Sequence, residues 1–344
     1  MIGFLKRQTL VDKLKIHVTF FFILILDVLI LVKISTTHNK TLEDIMTSYE
    51  AVGSYLQMTT KILTLIIYNG DLKQILAMTN QFWKYDKFGP VISNKQQKYP
   101  RMMPSFITAY FFFCICTLTV LMLKPVLFHE LPRSCCIPEG EVWFYVVSAI
   151  QNETLFYCTF TVFAFDAMFA LLYTEAAMQF CLLNEAFSRM KNHGDLKECV
   201  DYHVFLYNFV KKLNDVYWMF LLVQSFDCLS ETCFQLLTMV HTQENLTLRV
   251  KAVLYAIALY MQLSFFCFPV GFLQDESQAS STAISACPWY LKDAKFKRSV
   301  FIVMIRAQKK ISVRAGGFFE MDRQAFIYLC KSSFSVYTLL KSIN

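Results

Sequence analysis

An all-α membrane protein with seven transmembrane helices is predicted by three features of this 344-residue chain. Hydrophobic residues make up 56% of it, 34 of them Phe, which is more apolar surface than a soluble domain of this length buries in a core. Residues 105–123, SFITAYFFFCICTLTVLML, form a nineteen-residue run without a charge. That is close to the roughly 20 residues with which an α-helix crosses about 30 Å of hydrocarbon. Further apolar runs, less pure, lie at residues 17–34, 48–68, 150–174, 216–240, 250–273 and 318–341.

The first run, 17–34, is a membrane anchor rather than a cleaved leader, because Asp27 interrupts a long apolar stretch and no small-residue cleavage site follows Val32. The second carries Lys61 and the fourth Asp166, and ionisable groups at such depth are costly unless paired. Between the third and fourth runs Cys135 and Cys136 fall in a connection predicted to be extracellular, where either thiol could be disulfide-bonded. Cys114, Cys116, Cys158, Cys228, Cys233, Cys267 and Cys330 sit in apolar helices as small hydrophobes. On the fifth run Gln224, Asp227, Glu231 and Gln235 follow one another at helical spacing and form one polar stripe. The stripe reads either as an acidic wall near a cation path or as a helix-to-helix contact reaching Lys61.

After the sixth run, Phe296, Val300, Val303, Ala307 and Ile311 recur at helical spacing among Lys295, Arg298, Arg306, Lys309 and Lys310. This segment is too charged to cross a bilayer and is predicted as a cytosolic amphipathic helix whose apolar face takes the subunit contacts. A hinge at Ala315-Gly316-Gly317 leads to the last run, where Ser332, Ser335, Leu339 and Ser342 share a narrow face. Such a face more often serves close helix packing, and it also suits a hydrated pore with an apolar gate. Lys331 lies ten residues before Lys341, so it belongs at the inner mouth or in a wet lumen, and spacing leaves both open.

Seven spans put the two ends of the chain on opposite sides. With the amino terminus inside, the inner segments 1–17, 69–103, 187–214 and 274–314 hold 23 of the 33 Lys and Arg, so the positive-inside rule predicts a cytosolic amino terminus and an extracellular carboxyl terminus. Three Asn-x-Thr sequons, at Asn39, Asn152 and Asn245, all fall outside under that topology and are the candidate glycosylation sites. The net charge of +7 is then loop bias, and no nucleic-acid partner is expected. No HExxH, GxSxG or phosphate-binding glycine loop occurs, and the six His are scattered at non-ligand spacings. No enzyme activity, cofactor or metal site is expected.

The carboxyl-terminal motifs Trp289-Tyr290, Arg306-Ala307-Gln308, Ala315-Gly316 and Ser335-Val336-Tyr337-Thr338-Leu339-Leu340 resemble the ending of insect odorant receptors. Gly271 to Ser277 is similar to that family's sixth-span exit, and Asp166 to Leu183 to its extended fourth helix. Ser-Val-Tyr in the last helix departs from the family's commoner Tyr-Phe. The resemblance implies a ligand-gated, non-selective cation channel in the plasma membrane of sensory neurons. This chain would be its odorant-tuning subunit, in a heterotetramer with odorant co-receptor subunits, since the co-receptor's long inserted loop is absent. Membrane lipid would surround it, and the resemblance implies a small volatile, apolar ligand. Three regions follow: a six-helix bundle (1–273) with a ligand pocket in its outer half, a cytosolic amphipathic helix and hinge (274–317), and a pore-lining last helix (318–344).

The family likeness places the pocket among the second, third, fourth and sixth spans. There the topology brings Val52, Tyr55, Cys116, Thr119, Phe156, Phe160, Leu259 and Gln262 to the right depth, with Tyr55 and Gln262 as hydrogen-bonding groups. It also makes Ser332, Ser335, Leu339 and Ser342 the pore face, with Leu339 at the gate. A G-protein-coupled receptor and a gustatory-type channel are the alternatives. A transporter would call for two-fold internal repeats, and none is visible.

Overall fold

The computed structural model describes residues 10–36, 42–89, 98–133, 135–137, 140–241 and 246–343. Nine α-helices lie among them: α1 Leu10–Thr36, α2 Leu42–Ile67, α3 Asn69–Met78, α4 Lys98–Leu127, α5 Glu141–Arg189, α6 His193–His241, α7 Leu246–Ala286, α8 Ala294–Ala307 and α9 Arg323–Ile343. Helices α1, α2, α4, α5, α6, α7 and α9 coincide with the seven apolar runs. Among the described residues α4, α5 and α7 are by themselves long and apolar enough to cross a bilayer. Helices α2, α6 and α9 carry polar groups such as Lys61, Asp227, Glu231 and Lys331, which dilute their hydropathy.

Helices α5 and α6 are 49 residues long and α7 is 41. At 1.5 Å per residue they reach about 74 Å and 62 Å, around twice the hydrocarbon thickness of about 30 Å. They therefore run on past the membrane at one end. Residues 187–214 and 274–286, which the charge pattern marks only as an inner connection, are mostly continuations of these helices. The reason is visible in Leu206, Phe209, Val210 and Leu213, which recur at helical spacing and are at most 1% exposed. Charge counts report which side a segment occupies and carry no information about its helicity.

The largest apolar cluster fills this projecting end and joins Phe169, Phe180, Phe187, Phe209, Phe266 and Phe296. Helix α3 and residues 79–89 close one flank: the Trp83 ring stacks on Tyr202 at 3.9 Å, and Lys87 Nζ lies 3.3 Å over it. Helix α8 closes another, started by Asp293, whose side chain accepts from Phe296 N at 3.4 Å. Phe296, Val300 and Ala307 are at most 2% exposed and face the chain's own core. The expected subunit face at Val300 is therefore an internal packing face. The apolar residues that α8 leaves uncovered are Phe301, Ile302 and Ile305, at 60%, 61% and 55% exposure.

The expected hinge is a turn in a two-stranded antiparallel ribbon, β1 Arg314–Ala315 and β2 Phe319–Glu320. Gly316 and Gly317 have φ of 59° and 77°, the left-handed region that glycine enters at no steric cost. The Gly316 N–H donates to Trp218 O at 2.8 Å, and a Cβ here would meet Leu222 Cδ2 at 2.5 Å, so the ribbon is docked on α6. Helix α9 starts after it, at Arg323 rather than 318.

A second apolar cluster at the opposite end joins Ile23, Leu26 and Ile30 of α1 to Ala51, Tyr55 and Ile62 of α2, with Cys135 and Cys158. Helix α4 stands at the periphery, with Phe112, Val120 and Leu123 exposed as a lipid-facing surface requires.

Candidate functional site

Helices α2, α4, α5, α6 and α7 meet around one buried carboxylate. Lys61 and Asp166 are both fully buried, with Lys61 Nζ 2.8 Å and 2.9 Å from the two carboxylate oxygens. Asp166 Oδ2 also accepts from Tyr110 OH at 3.1 Å and Gln262 Nε2 at 3.3 Å. Gln262 Oε1 in turn accepts from Gln224 Nε2 at 3.4 Å. The ammonium faces the rings of Phe220 and Phe266, 5.5 Å and 5.8 Å from their centroids. A charge sealed in an apolar bundle survives only when paired and hydrogen-bonded, and here each partner meets that condition.

The pairing expected for Asp166 is present. Lys61, however, reaches Asp166 and not the α6 stripe, which finds other partners. Asp227 accepts from Gln57 Nε2, Glu231 Oε2 accepts from Tyr255 OH at 2.9 Å, and Gln224 bonds Gln262. A Cβ on Gly53 would lie within 3 Å of both Asp227 and Glu231 carboxylate atoms, so this glycine makes room for two acids between α2 and α6. At the rim, Glu50 receives Arg133 at 3.2 Å and Lys251 at 3.0 Å. Arg133 belongs to the α4–α5 connection, which is held further by Gln151, whose Oε1 accepts from Arg133 N and whose Nε2 donates to Arg133 O, each at 3.0 Å. Tyr110, Gln57, Glu50, Arg133 and Tyr255 escape sequence reasoning. Their only signal is the presence of unpaired acids on neighbouring spans.

Six of the eight candidate pocket residues fall in three neighbourhoods. Tyr55 is 1% exposed and sits with Val52 in the α1–α2 cluster. Leu259 and Gln262 are buried at 5% and 8% on α7, where Gln262 bonds Asp166. Phe156 and Phe160 form an aromatic pair with centroids 4.9 Å apart, 6.3 Å from Phe111 at the nearer ring, and stay partly exposed. Cys116 and Thr119 are exposed on α4. The structure thus joins Tyr55 with Val52, Phe156 with Phe160 and Leu259 with Gln262, and does not bring the eight into one cavity.

On α9, Ser332 is half-buried, Ser335 is exposed and Leu339 is 60% exposed, while the Ser342 side chain lies outside the described residues. The opposite face is covered, with Leu329 at 7% and Ser333 at 1%. Between α6, the ribbon and α9 an open groove of about 850 Å³ is lined by Phe226, Leu229, Glu320, Tyr328 and Lys331 among others. At its lip the Lys310 ammonium, 2.6 Å from Glu320, holds that carboxyl below its usual range. Cys135 and Cys136 are free thiols, the first buried and the second exposed. Of the sequons, Asn152 is half-buried within α5, and Asn39 and Asn245 lie outside the described residues.

A family model described as "7tm Odorant receptor" matches residues 41–334. The chain belongs to the insect odorant receptor family. That decides among the seven-span alternatives: this is an olfactory membrane receptor of that family and not an enzyme. Odorant receptor 82a of Drosophila melanogaster is 29% identical over 155 residues, 43% of this chain and 38% of that one. Odorant receptor 43b of the same fly is 21% identical over 310 residues, 83% of this chain and 74% of that one. With 82a, and with Drosophila odorant receptor 85b at 47%, the match spans less than half the relative's length. The olfactory receptor OR5 of Machilis hrabei shares the fold, with a TM-score of 0.87 over 98% of this odorant receptor and 91% of that chain at 13% identity. Its structure in complex with eugenol superposes at 0.82 with 14% identity, over 98% of this chain and 92% of that one.

Proposed function

We propose that this receptor is the odorant-tuning subunit of a ligand-gated, non-selective cation channel, assembled as a heterotetramer with co-receptor subunits in the plasma membrane of sensory neurons. The observation that carries the channel reading is α9. Its one face is packed on the chain while the other holds Tyr328, Phe334 and Leu339 at 71%, 56% and 60% exposure beside Ser335. In a single subunit that face is exposed, and a ring of α9 helices around a central axis would cover it. In this reading residues 318–344 line the pore with Ser332, Ser335, Leu339 and Ser342. Segment 274–317 lies in the cytosol, and 1–273 form the bundle that binds the odorant. The placing of 23 of 33 Lys and Arg supports an inward amino terminus. The sequons Asn39, Asn152 and Asn245 then face outward as glycosylation acceptors.

The ligand is a small, mostly apolar volatile, as eugenol is for the Machilis receptor. Three separate neighbourhoods offer it a seat: the buried Tyr55, the buried Leu259 and Gln262, and the aromatic pair Phe156 and Phe160. Val52, Cys116 and Thr119 complete the proposed set. The test is whole-cell recording from cells that make this chain with a co-receptor, across a panel of volatiles. Odorant-evoked cation currents that Phe160→Ala weakens or retunes, at unchanged surface expression and unchanged co-receptor agonist current, support the reading. Absence of current from the pair at normal surface level, or an odorant response that proceeds only through a G protein, overturns it. Epitope tags on both termini, probed before and after permeabilisation, test the orientation separately.

A further inference from the structure

Lys331 is a sequence feature that neither the packing of the bundle nor the proposed pore has absorbed. It is exposed and lines the groove between α6 and α9. Its basic neighbours are occupied: Lys310 pairs with Glu320 at 2.6 Å, and Arg323 pairs with Asp275. Asp322 Oδ1 accepts from Ala325 N at 2.8 Å as the cap of α9. Among the described residues no ion pair includes Lys331.

Helical register places this lysine on a particular face. At 3.6 residues per turn, Ser342 lies about 20° from Lys331 around the helix, Ser335 about 40°, Tyr328 about 60° and Leu339 about 80°. Leu329 and Ser333, the buried residues, each lie about 160° away. Lys331 therefore belongs to the uncovered face that carries the hydroxyls and Leu339. It stands eight residues from Arg323 and eight from Leu339, about 12 Å from each along the axis. An unpaired ammonium at that depth is costly in lipid, whereas a hydrated lumen keeps its water shell.

We infer that Lys331 stands in the ion path, on the α8 side of Leu339, and selects against divalent cations; this rests on the reading of α9 as the pore helix. Coulomb's law in water gives, at about 6 Å, roughly threefold exclusion of a monovalent cation and roughly tenfold of a divalent one. Screening reduces both. Removing the charge should therefore raise calcium permeability relative to sodium by about two- to threefold for each lysine lost.

The experiment measures reversal potentials with calcium against sodium in cells making the co-receptor with Lys331→Gln, Lys331→Glu or Lys331→Arg, with odorant dose-response recorded beside them. The expected result is a two- to threefold rise in relative calcium permeability for Lys331→Gln, a larger one for Lys331→Glu and none for Lys331→Arg, at unchanged odorant sensitivity. Should Leu339→Ala shift permeation while Lys331→Gln and Lys331→Glu leave it as in the wild type, α9 remains the pore helix and the inference is overturned: Lys331 is then out of the path or paired with a neighbouring subunit's carboxylate. Should neither position affect permeation, the pore reading fails together with the inference.

Discussion

Replacing Lys61 with Met tests whether the Lys61–Asp166 pair holds the bundle together. Both side chains are fully buried, so no water remains to solvate the Asp166 carboxylate once its partner, 2.8 Å away, is gone. Breaking a buried pair from one side costs about 3–5 kcal/mol, because an uncompensated charge is left behind. Asp166→Leu should cost a similar amount by stranding the ammonium. The double variant removes both charges and leaves Tyr110 and Gln262 as buried donors without their shared acceptor, at about 1–3 kcal/mol each. Its cost should therefore fall well below the sum of the singles, with a coupling of about 3 kcal/mol or more. The assay is reversible unfolding of the purified receptor in mild detergent by a titration with sodium dodecyl sulfate, with all four proteins compared. Singles that cost under about 1 kcal/mol, or a double equal to their sum, would refute the claim that the two charges stabilise the bundle as a pair.

Leu339→Ala should raise current in the absence of odorant or alter ion selectivity in cells that also make the co-receptor, and unchanged basal current and permeability would remove Leu339 from the gate. Gly316→Ala should destabilise the ribbon by about 1–3 kcal/mol, through the left-handed backbone and the contact with Leu222 together; a thermal midpoint equal to wild type would contradict the docking of the turn on α6. His203, in the part of α6 beyond the membrane, is held below its usual pKa by burial, with the charge of Arg306 adding to it. The unfolded chain therefore takes up this proton first, so the contribution is present above about pH 6.5 and is lost as pH falls. Between about pH 7.5 and 5.5 the wild type should lose more thermal stability than His203→Phe, and equal losses would exclude His203 as the cause.

The apolar runs pointed to all seven spans, three of which, α4, α5 and α7, are apolar enough by themselves among the described residues, because burial in hydrocarbon is a property of each segment taken alone. Periodicity determined the amphipathic helix α8 in the same way, and the carboxyl-terminal motifs pointed to the family that the comparison established. The apolar face of α8, by contrast, could be read as free for a partner, and only packing revealed that Phe296 and Val300 are spent inside the chain, with Phe301, Ile302 and Ile305 left outside. Lys61 was visibly in need of an acid, yet three, Asp166, Asp227 and Glu231, lay on two other helices. The choice of Asp166 depends on the rotation of α2, α5 and α6 about their axes, which no single helix specifies. The same holds for the pocket residues, whose depth follows from topology while their facing follows from neighbours. Segment 187–214 was legible as charged and therefore inner. That it is mostly helix, projecting well past the bilayer, was decided by the aromatic core it shares with α5, α7 and α8. Sequence determines what each segment must do with water and lipid; which segments then satisfy one another is a long-range matter, fixed only when the helices are packed.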